Sequence, residues 1–182
     1  KCCVMYNIVN AIKYETSLID NKVNIVKVIS NKKNSWSLES CDGHGINNKY
    51  MKISSSKEEY YQSVTTEFEN DDVELILCIG WMSILPPSFV NKWKNKCINV
   101  HPSLLPKYAG GMDMNVHEEV LKNNELETGC TVHIMTEEVD KGAVIVQKKC
   151  DVKNNDTPEI LKKRVQYLEG LSLIETLYYG YN

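Results

Sequence analysis

Cys97-Ile98-Asn99-Val100-His101-Pro102-Ser103-Leu104-Leu105-Pro106-Lys107-Tyr108 is the stretch around which this chain is organised. A short apolar-leaning run is cut off by His-Pro and then by a second proline, as when a buried strand reaches the rim of a sheet and becomes a stiff loop. Side chains alternate along a strand, so Asn99 and His101 share one face while Ile98 and Val100 pack on the other. An amide donor and an imidazole then converge at a strand's carboxyl end, where open α/β sheets bind ligands. An isolated N-x-H is more often a loop cap beside a structural histidine, so the neighbouring motifs decide what this one is.

Length and charge narrow the choice. At 182 residues the chain is long enough for one domain with a single core. Net charge is −3, and Arg164 is the lone arginine, so no basic face points to nucleic acid. Small-molecule chemistry is the better match. Seven cysteines at 2, 3, 41, 78, 97, 130 and 150 form neither a paired framework nor a C-x-x-C metal spacing. Reduced thiols of this kind suit a cytoplasmic protein. No apolar run approaches a membrane span, and no basic-then-apolar leader opens these residues. The first residue is Lys rather than Met, so cytoplasmic localisation is only the default expectation.

Two further motifs accompany the first, Thr128-Gly129-Cys130-Thr131-Val132-His133 and Glu138-Val139-Asp140-Lys141-Gly142. In this order and at about these distances the three resemble the folate-dependent formyltransferases, most of all their glycinamide ribonucleotide branch. The similarity runs from about Val73 to about Glu169, and more faintly back to Ile8. It implies an α/β fold with a Rossmann-like, mostly parallel sheet. One domain over 1–182 is expected, with a nucleotide-binding half to about residue 95 and a folate-binding, catalytic half from about residue 96. The implied reaction moves a formyl group from 10-formyltetrahydrofolate, a co-substrate, to the amine of glycinamide ribonucleotide in de novo purine synthesis. Its catalytic residues are Asn99, His101 and Asp140, with His133 orienting Asp140. No metal is needed, since histidine and amide already supply electrophilic help. The implied partners are small molecules, with neither nucleic acid nor membrane, for a monomer or homodimer.

The resemblance also assigns binding residues along the chain. Val73–Ile79 reads as a buried parallel strand, followed by Gly80-Trp81-Met82-Ser83-Ile84-Leu85-Pro86-Pro87, the segment that relatives use to cradle the pterin. Trp81, Met82, Ser83, Ile84 and Leu85 are thereby folate-binding, although Ser83 replaces a basic residue. Lys57, Val90, Met135, Glu137 and Val139 join them. Asn7, Ile8, Gly80 and Glu169 are implied ribonucleotide contacts, Glu169 through ribose hydroxyls. At Met5-Tyr6-Asn7 relatives carry a glycine-containing phosphate loop that this sequence lacks. The expectation is that the loop is omitted here, leaving Met5 and Tyr6 farther apart than one peptide bond. Leu105-Pro106 is expected to be cis by the same resemblance.

Local signals complete the reading. Lys1–Met5 reads as a strand, and Asn7 opens a helix. Val23–Ile29 reads as a strand, Trp36–Gly45 carries no signal, and Tyr50–Ile53 reads as a short strand. Ser55 and Glu58 stand at capping-box spacing before a helix to about Phe68. Lys107–Met114 is a glycine loop able to act as a lid, and Asp113 is placed to cap a helix over 115–122. His117 reads as a packing or surface residue. Thr131–Met135 is a strand followed by an acidic turn, and Ala143–Val146 begins the next. Thr157 and Pro158 are N-cap and N1 of a final helix whose core face carries Leu161, Val165, Leu168 and Leu171, with Glu169 pointing away. Methionyl-tRNA formyltransferase and formyltetrahydrofolate hydrolase carry a similar triad, but each adds a domain with no counterpart within these residues. A folate- or nucleotide-binding paralogue without turnover is the non-enzymatic alternative.

Overall fold

The computed structural model describes residues 23–180. The expected strand at Lys1–Met5, the helix from Asn7, the Met5–Tyr6 junction and the contacts assigned to Asn7 and Ile8 lie outside the described residues.

The elements run β1 (Val28–Ser30), α1 (Trp36–His44), β2 (Asn48–Tyr50), α2 (Lys57–Asn70), β3 (Ile76–Cys78), α3 (Pro87–Lys92), β4 (Cys97–His101), α4 (Met114–Lys122), β5 (Glu127–Ile134), β6 (Val144–Asp151) and α5 (Pro158–Tyr179). β1 pairs with β2 and β3 with β4, both parallel. β4 pairs antiparallel with β5, and β5 with β6. The α/β class is as expected, with parallel pairing up to β4 and antiparallel pairing beyond it.

Alternation along β4 sorts the core. Cys97 joins Tyr60, Tyr61, Val64 and Phe68 of α2 and Phe89, Val90 and Trp93 beside α3. Ile98 and Val100 point the other way, onto Cys130, Val132 and the α5 residues Val165 and Leu173. Asn99 and His101 share the parity of Cys97 and stand at the open end of that face.

Several boundaries differ from the sequence reading. The strands expected over 23–29 and 73–79 pair only at Val28–Ser30 and Ile76–Cys78. Ile25, Val73, Leu75 and Ile79 pack against the core clusters without joining a ladder, so their apolar character records burial rather than pairing. β2 lies at Asn48–Tyr50, not Tyr50–Ile53. α1 was not anticipated. It is capped by Ser35, whose hydroxyl accepts from Leu38 N, and stopped by Gly45 at φ +63°, the left-handed region that glycine enters freely. The cap of α2 is Ser56, accepting from Glu59 N, one residue beyond Ser55. Asp113 gives α4 no side-chain cap and turns to Lys162 instead. Thr157 does cap α5, with Pro158 at N1. On α5 Leu171 is exposed and Glu169 is buried, reversing that part of the helix face. The buried strip is Leu161, Val165, Glu169, Gly170, Ser172, Leu173 and Thr176. Its three polar members hid it from an apolar pattern.

Candidate active site

The register of β4 and β5 sets Asn99 opposite His133 and His101 opposite Thr131. Beyond His101 the chain turns through Ser103 to the cis Leu105–Pro106 bond. Thr131 Oγ1 fixes this turn: it donates to Ser103 O at 2.7 Å and accepts from Leu105 N at 3.1 Å and Gln147 Nε2 at 2.8 Å. Between β5 and β6 the turn swings back over the sheet with Asp140 at φ +55°. It closes at Gly142, where a Cβ would stand 1.7 Å from Ile134 O. Only glycine permits that approach.

These constraints bring the carboxylate onto both imidazoles. Asp140 Oδ2 lies 3.2 Å from His101 Nδ1, and Oδ1 lies 3.5 Å from His133 Nε2. Gly110 N–H donates to Oδ2 at 2.8 Å. His133 Nδ1 sits 3.0 Å from Ile134 O, which assigns it the proton. Its Nε2 is then an acceptor for the Asn99 amide at 3.3 Å, so His133 orients Asn99 as well as standing beside Asp140.

His101 is buried between two acceptors, Asp140 at Nδ1 and Tyr108 O at 3.0 Å from Nε2. Only a doubly protonated ring serves both. Burial opposes this and wins: it pushes the His101 pKa below the ordinary histidine value, against the raising effect of Asp140 and the Tyr108 carbonyl. Burial therefore favours the neutral ring in the unliganded site. Its one proton goes to the anionic carboxylate, the stronger acceptor. Burial pushes Asp140 up, but the nearby His133 ring, the Gly110 N–H bond and the His101 ring hold it below the usual carboxylate value. The result is a fixed anion, a histidine on the verge of charging and an oriented amide, all facing one cleft.

The sequence comparisons agree. The formyl transferase family profile matches residues 4–177. The chain is 35% identical over 144 residues to phosphoribosylglycinamide formyltransferase of Escherichia coli K12, covering 78% of this chain and 66% of that protein. This chain belongs to the formyl transferase family. It is also 40% identical over 164 residues, 89% of its length, to the trifunctional purine biosynthetic protein adenosine-3 of Gallus gallus. This chain spans only 11 to 16% of the trifunctional relatives' length. The structure of phosphoribosylglycinamide formyltransferase from Anaplasma phagocytophilum superposes with a TM-score of 0.87 at 31% identity, covering 97% of this chain and 80% of that one.

The same cleft receives most of the binding residues assigned from sequence. Gly80, at φ +59°, starts the loop carrying Trp81, Met82, Ser83, Ile84 and Leu85, and all six line the cleft with Met135, Glu137 and Val139. Met82, Ile84 and Val139 hold substantial apolar surface open to solvent. Tyr61 pins the loop: its hydroxyl accepts from Trp81 Nε1 at 2.9 Å and bonds Ser83. Ser83 is thereby tied to the α2 side of the cleft through Tyr61. Glu169 also reaches the cleft. Two assignments fall elsewhere. Val90 is buried in the aromatic core, and Lys57 is an exposed first residue of α2; neither lines the cleft.

Sequence reasoning missed what the Tyr108–Gly110 backbone does, because carbonyls and N–H groups have no residue-type signature. It also missed Thr131, whose position opposite His101 was the available clue.

Proposed function

We propose that this formyl transferase moves a formyl group from 10-formyltetrahydrofolate to the primary amine of glycinamide ribonucleotide. The observation that carries the reading is the convergence of Asn99, His101 and Asp140 at the carboxyl end of β4. The donor's pterin would lie in the apolar loop 80–87, and the ribonucleotide on the Glu169 side. In this reading residues to about 95 serve the nucleotide and those from about 96 serve folate and chemistry.

The amine nitrogen attacks the formyl carbon, giving a tetrahedral oxyanion and an ammonium. Asn99 and His101 donate to the oxyanion; such donors contribute about 3 to 4 kcal/mol each in a water-excluding site. His101 charges as the oxyanion forms, because the new negative charge and Asp140 together outweigh the burial that keeps the free ring neutral. The ammonium releases its proton through water to Asp140, and the intermediate collapses with the electron pair leaving on folate N10. N10 takes that proton from Asp140 through water, and His101 returns to solvent the one it gained, so formylated amide and tetrahydrofolate leave with atoms and charge in balance. Five free cysteines among the described residues suit a reducing, cytoplasmic setting.

The test is formyl transfer to glycinamide ribonucleotide, assayed beside hydrolysis of the folate donor. Stoichiometric formyl transfer is expected. Hydrolysis alone, or donor binding without turnover, would refute the reading.

A further inference from the structure

Three sulfur atoms meet at the edge of the cleft, and the reaction uses none of them. Parallel pairing sets Ile76 beside Cys97 and Cys78 beside Asn99, so Cys78 and Cys97 point to the same face of neighbouring strands. Their Sγ atoms lie 3.7 Å apart. Just beyond β5, Met135 N–H donates to Cys97 O at 2.8 Å, and its Sδ stands 3.6 Å from Cys97 Sγ. Cys97 is thus flanked by a thiol 19 positions away and a thioether 38 positions away. The setting is apolar, shared with Tyr61, Leu85 and Phe89. Cys97 is buried, whereas Cys78 and Met135 line the cleft, so the trio is reached from the side on which loop 80–87 stands.

We propose that Cys78, Cys97 and Met135 form a site for a soft monovalent metal ion, Cu(I), and that filling it blocks the seat of the folate donor. The blockade, though not the site, rests on the reading that loop 80–87 holds the donor's pterin. Metal–sulfur bonds of about 2.3 Å set the donors about 3.8 to 4.0 Å apart in tetrahedral or trigonal arrangement. The separations here are 3.7 and 3.6 Å, so the sulfurs need only a slight spreading, which the rotatable bonds of methionine supply. The donor set selects the ion. Thiolate and thioether sulfurs favour Cu(I) over the harder ions that prefer carboxylate or carbonyl oxygen. Among the described residues no three His, Cys, Asp or Glu side chains are disposed to hold a metal, so the thioether is what completes the site. Binding forms two copper–thiolate bonds and one copper–thioether bond; two thiol protons pass to solvent and no electron moves. The complex carries one negative charge, which Cys78 and Met135 hold at the open cleft, within reach of water. A disulfide is a poorer use of the pair. The hydrogen bond with Cys78 and burial both push the Cys97 thiol up, which suppresses the thiolate that oxidation requires, whereas a bound ion deprotonates its thiol ligands outright.

The probe is Cu(I), delivered anaerobically from its bicinchoninate complex to the full chain. Cys2 and Cys3, adjacent in sequence, are replaced by Ser in every sample so that their thiols do not contribute. Chelator competition is expected to show a single tight equivalent. Cys97→Val should weaken it by more than about a hundredfold, beyond the cost of losing an outer-shell partner, and Cys78→Val should do likewise. Cys130→Val removes a buried thiol outside the trio and should leave the affinity unchanged, which with thermal melting separates loss of a ligand from loss of the fold. Met135→Leu keeps the volume and removes the sulfur, so copper-edge X-ray absorption should change from three sulfur neighbours at about 2.3 Å to two. Equal Cu(I) affinity in Cys97→Val and its parent overturns the site, as does a parent copper edge without sulfur neighbours. Bound copper should raise the KM for the folate donor, with kcat nearly unchanged at saturating donor; copper held by the trio with an unmoved donor KM overturns the blockade. If the metal-free protein does not formylate glycinamide ribonucleotide, the proposed reaction fails and the site stands, because copper binding is read without turnover.

Discussion

Replacing Asp140 by Asn separates charge from shape at the centre of the site. The amide can keep the Gly110 N–H bond through its oxygen, with its NH2 toward His133 Nε2, so little repacking is required. What disappears is the anion 3.2 Å from His101 Nδ1. With an effective dielectric of about 20, two unit charges at that distance attract by about 5 kcal/mol, reduced by solvent reaching the half-buried carboxylate. A turnover loss of roughly 10² to 10⁴ corresponds to about 3 to 5 kcal/mol, the same scale. The assay is steady-state formyl transfer against pH, with thermal melting to show that the fold persists. A rate that uses charged His101 falls as pH rises through the histidine's pKa. Without the Asp140 charge only the Tyr108 carbonyl still opposes burial, so that pKa falls further and the falling limb moves to lower pH. Asp140 itself, held below the usual carboxylate value, should not limit the wild type until well into the acid range. Turnover within threefold of wild type, or an unmoved pH profile, would refute this assignment.

Gly142→Ala drives a Cβ to within 1.7 Å of Ile134 O; the Asp140 turn must shift, with an expected loss of about 2 to 4 kcal/mol in chemical denaturation. Thr131→Val strips the hydroxyl that joins Ser103, Leu105 and Gln147 and should cost about 2 to 4 kcal/mol, while Thr131→Ser keeps most of it; equal stability of all three proteins would contradict the network. Glu169 is raised by burial to about 7, so its carboxyl stays protonated in the folded state where the unfolded chain has ionised. Wild type should therefore lose up to about 3 kcal/mol relative to Glu169→Gln as pH rises from about 4.5 to about 7. His117, pushed down to about 4 by burial, acts oppositely, destabilising the fold as pH falls from about 6.5 to about 4; it cancels in the difference curve, and a flat difference would refute the Glu169 assignment.

The sequence was most readable where local rules and tertiary structure agree. β4 was legible because Ile98 and Val100 alternate with Asn99 and His101, and because Pro102 forbids continuation. The start of α5 was legible because Thr157 and Pro158 do there what they do in any helix. α1 was not: Leu38 and Cys41 are its only buried residues, and Gly43 weakens the pattern further. α5 misled because a strip that serves both core and cleft must mix Val165 and Leu173 with Glu169, Ser172 and Thr176. Lys57 and Val90 were assigned through resemblance alone, and alignment to a motif does not say which way a side chain turns. The pairing of Asp113 with Lys162, 49 residues apart, leaves no local trace in either neighbourhood.

The antiparallel run from β4 to β6 has a consequence for the order in which the protein assembles itself. β5 and β6 form a hairpin closed by nine intervening residues, and short loops close fastest. Asp140 rides on that connection, so its turn can take shape before the parallel pairs, whose partners wait on intervening helices. Asn99 and His101 arrive only when β4 docks on β5, in the register that sets Asn99 against His133. In pulsed hydrogen exchange during refolding, amides of Thr128–Val132 facing β6 should gain protection before those of Ile76–Cys78. Catalytic competence then appears with the docking of β4, later than the hairpin and in step with burial of Ile98.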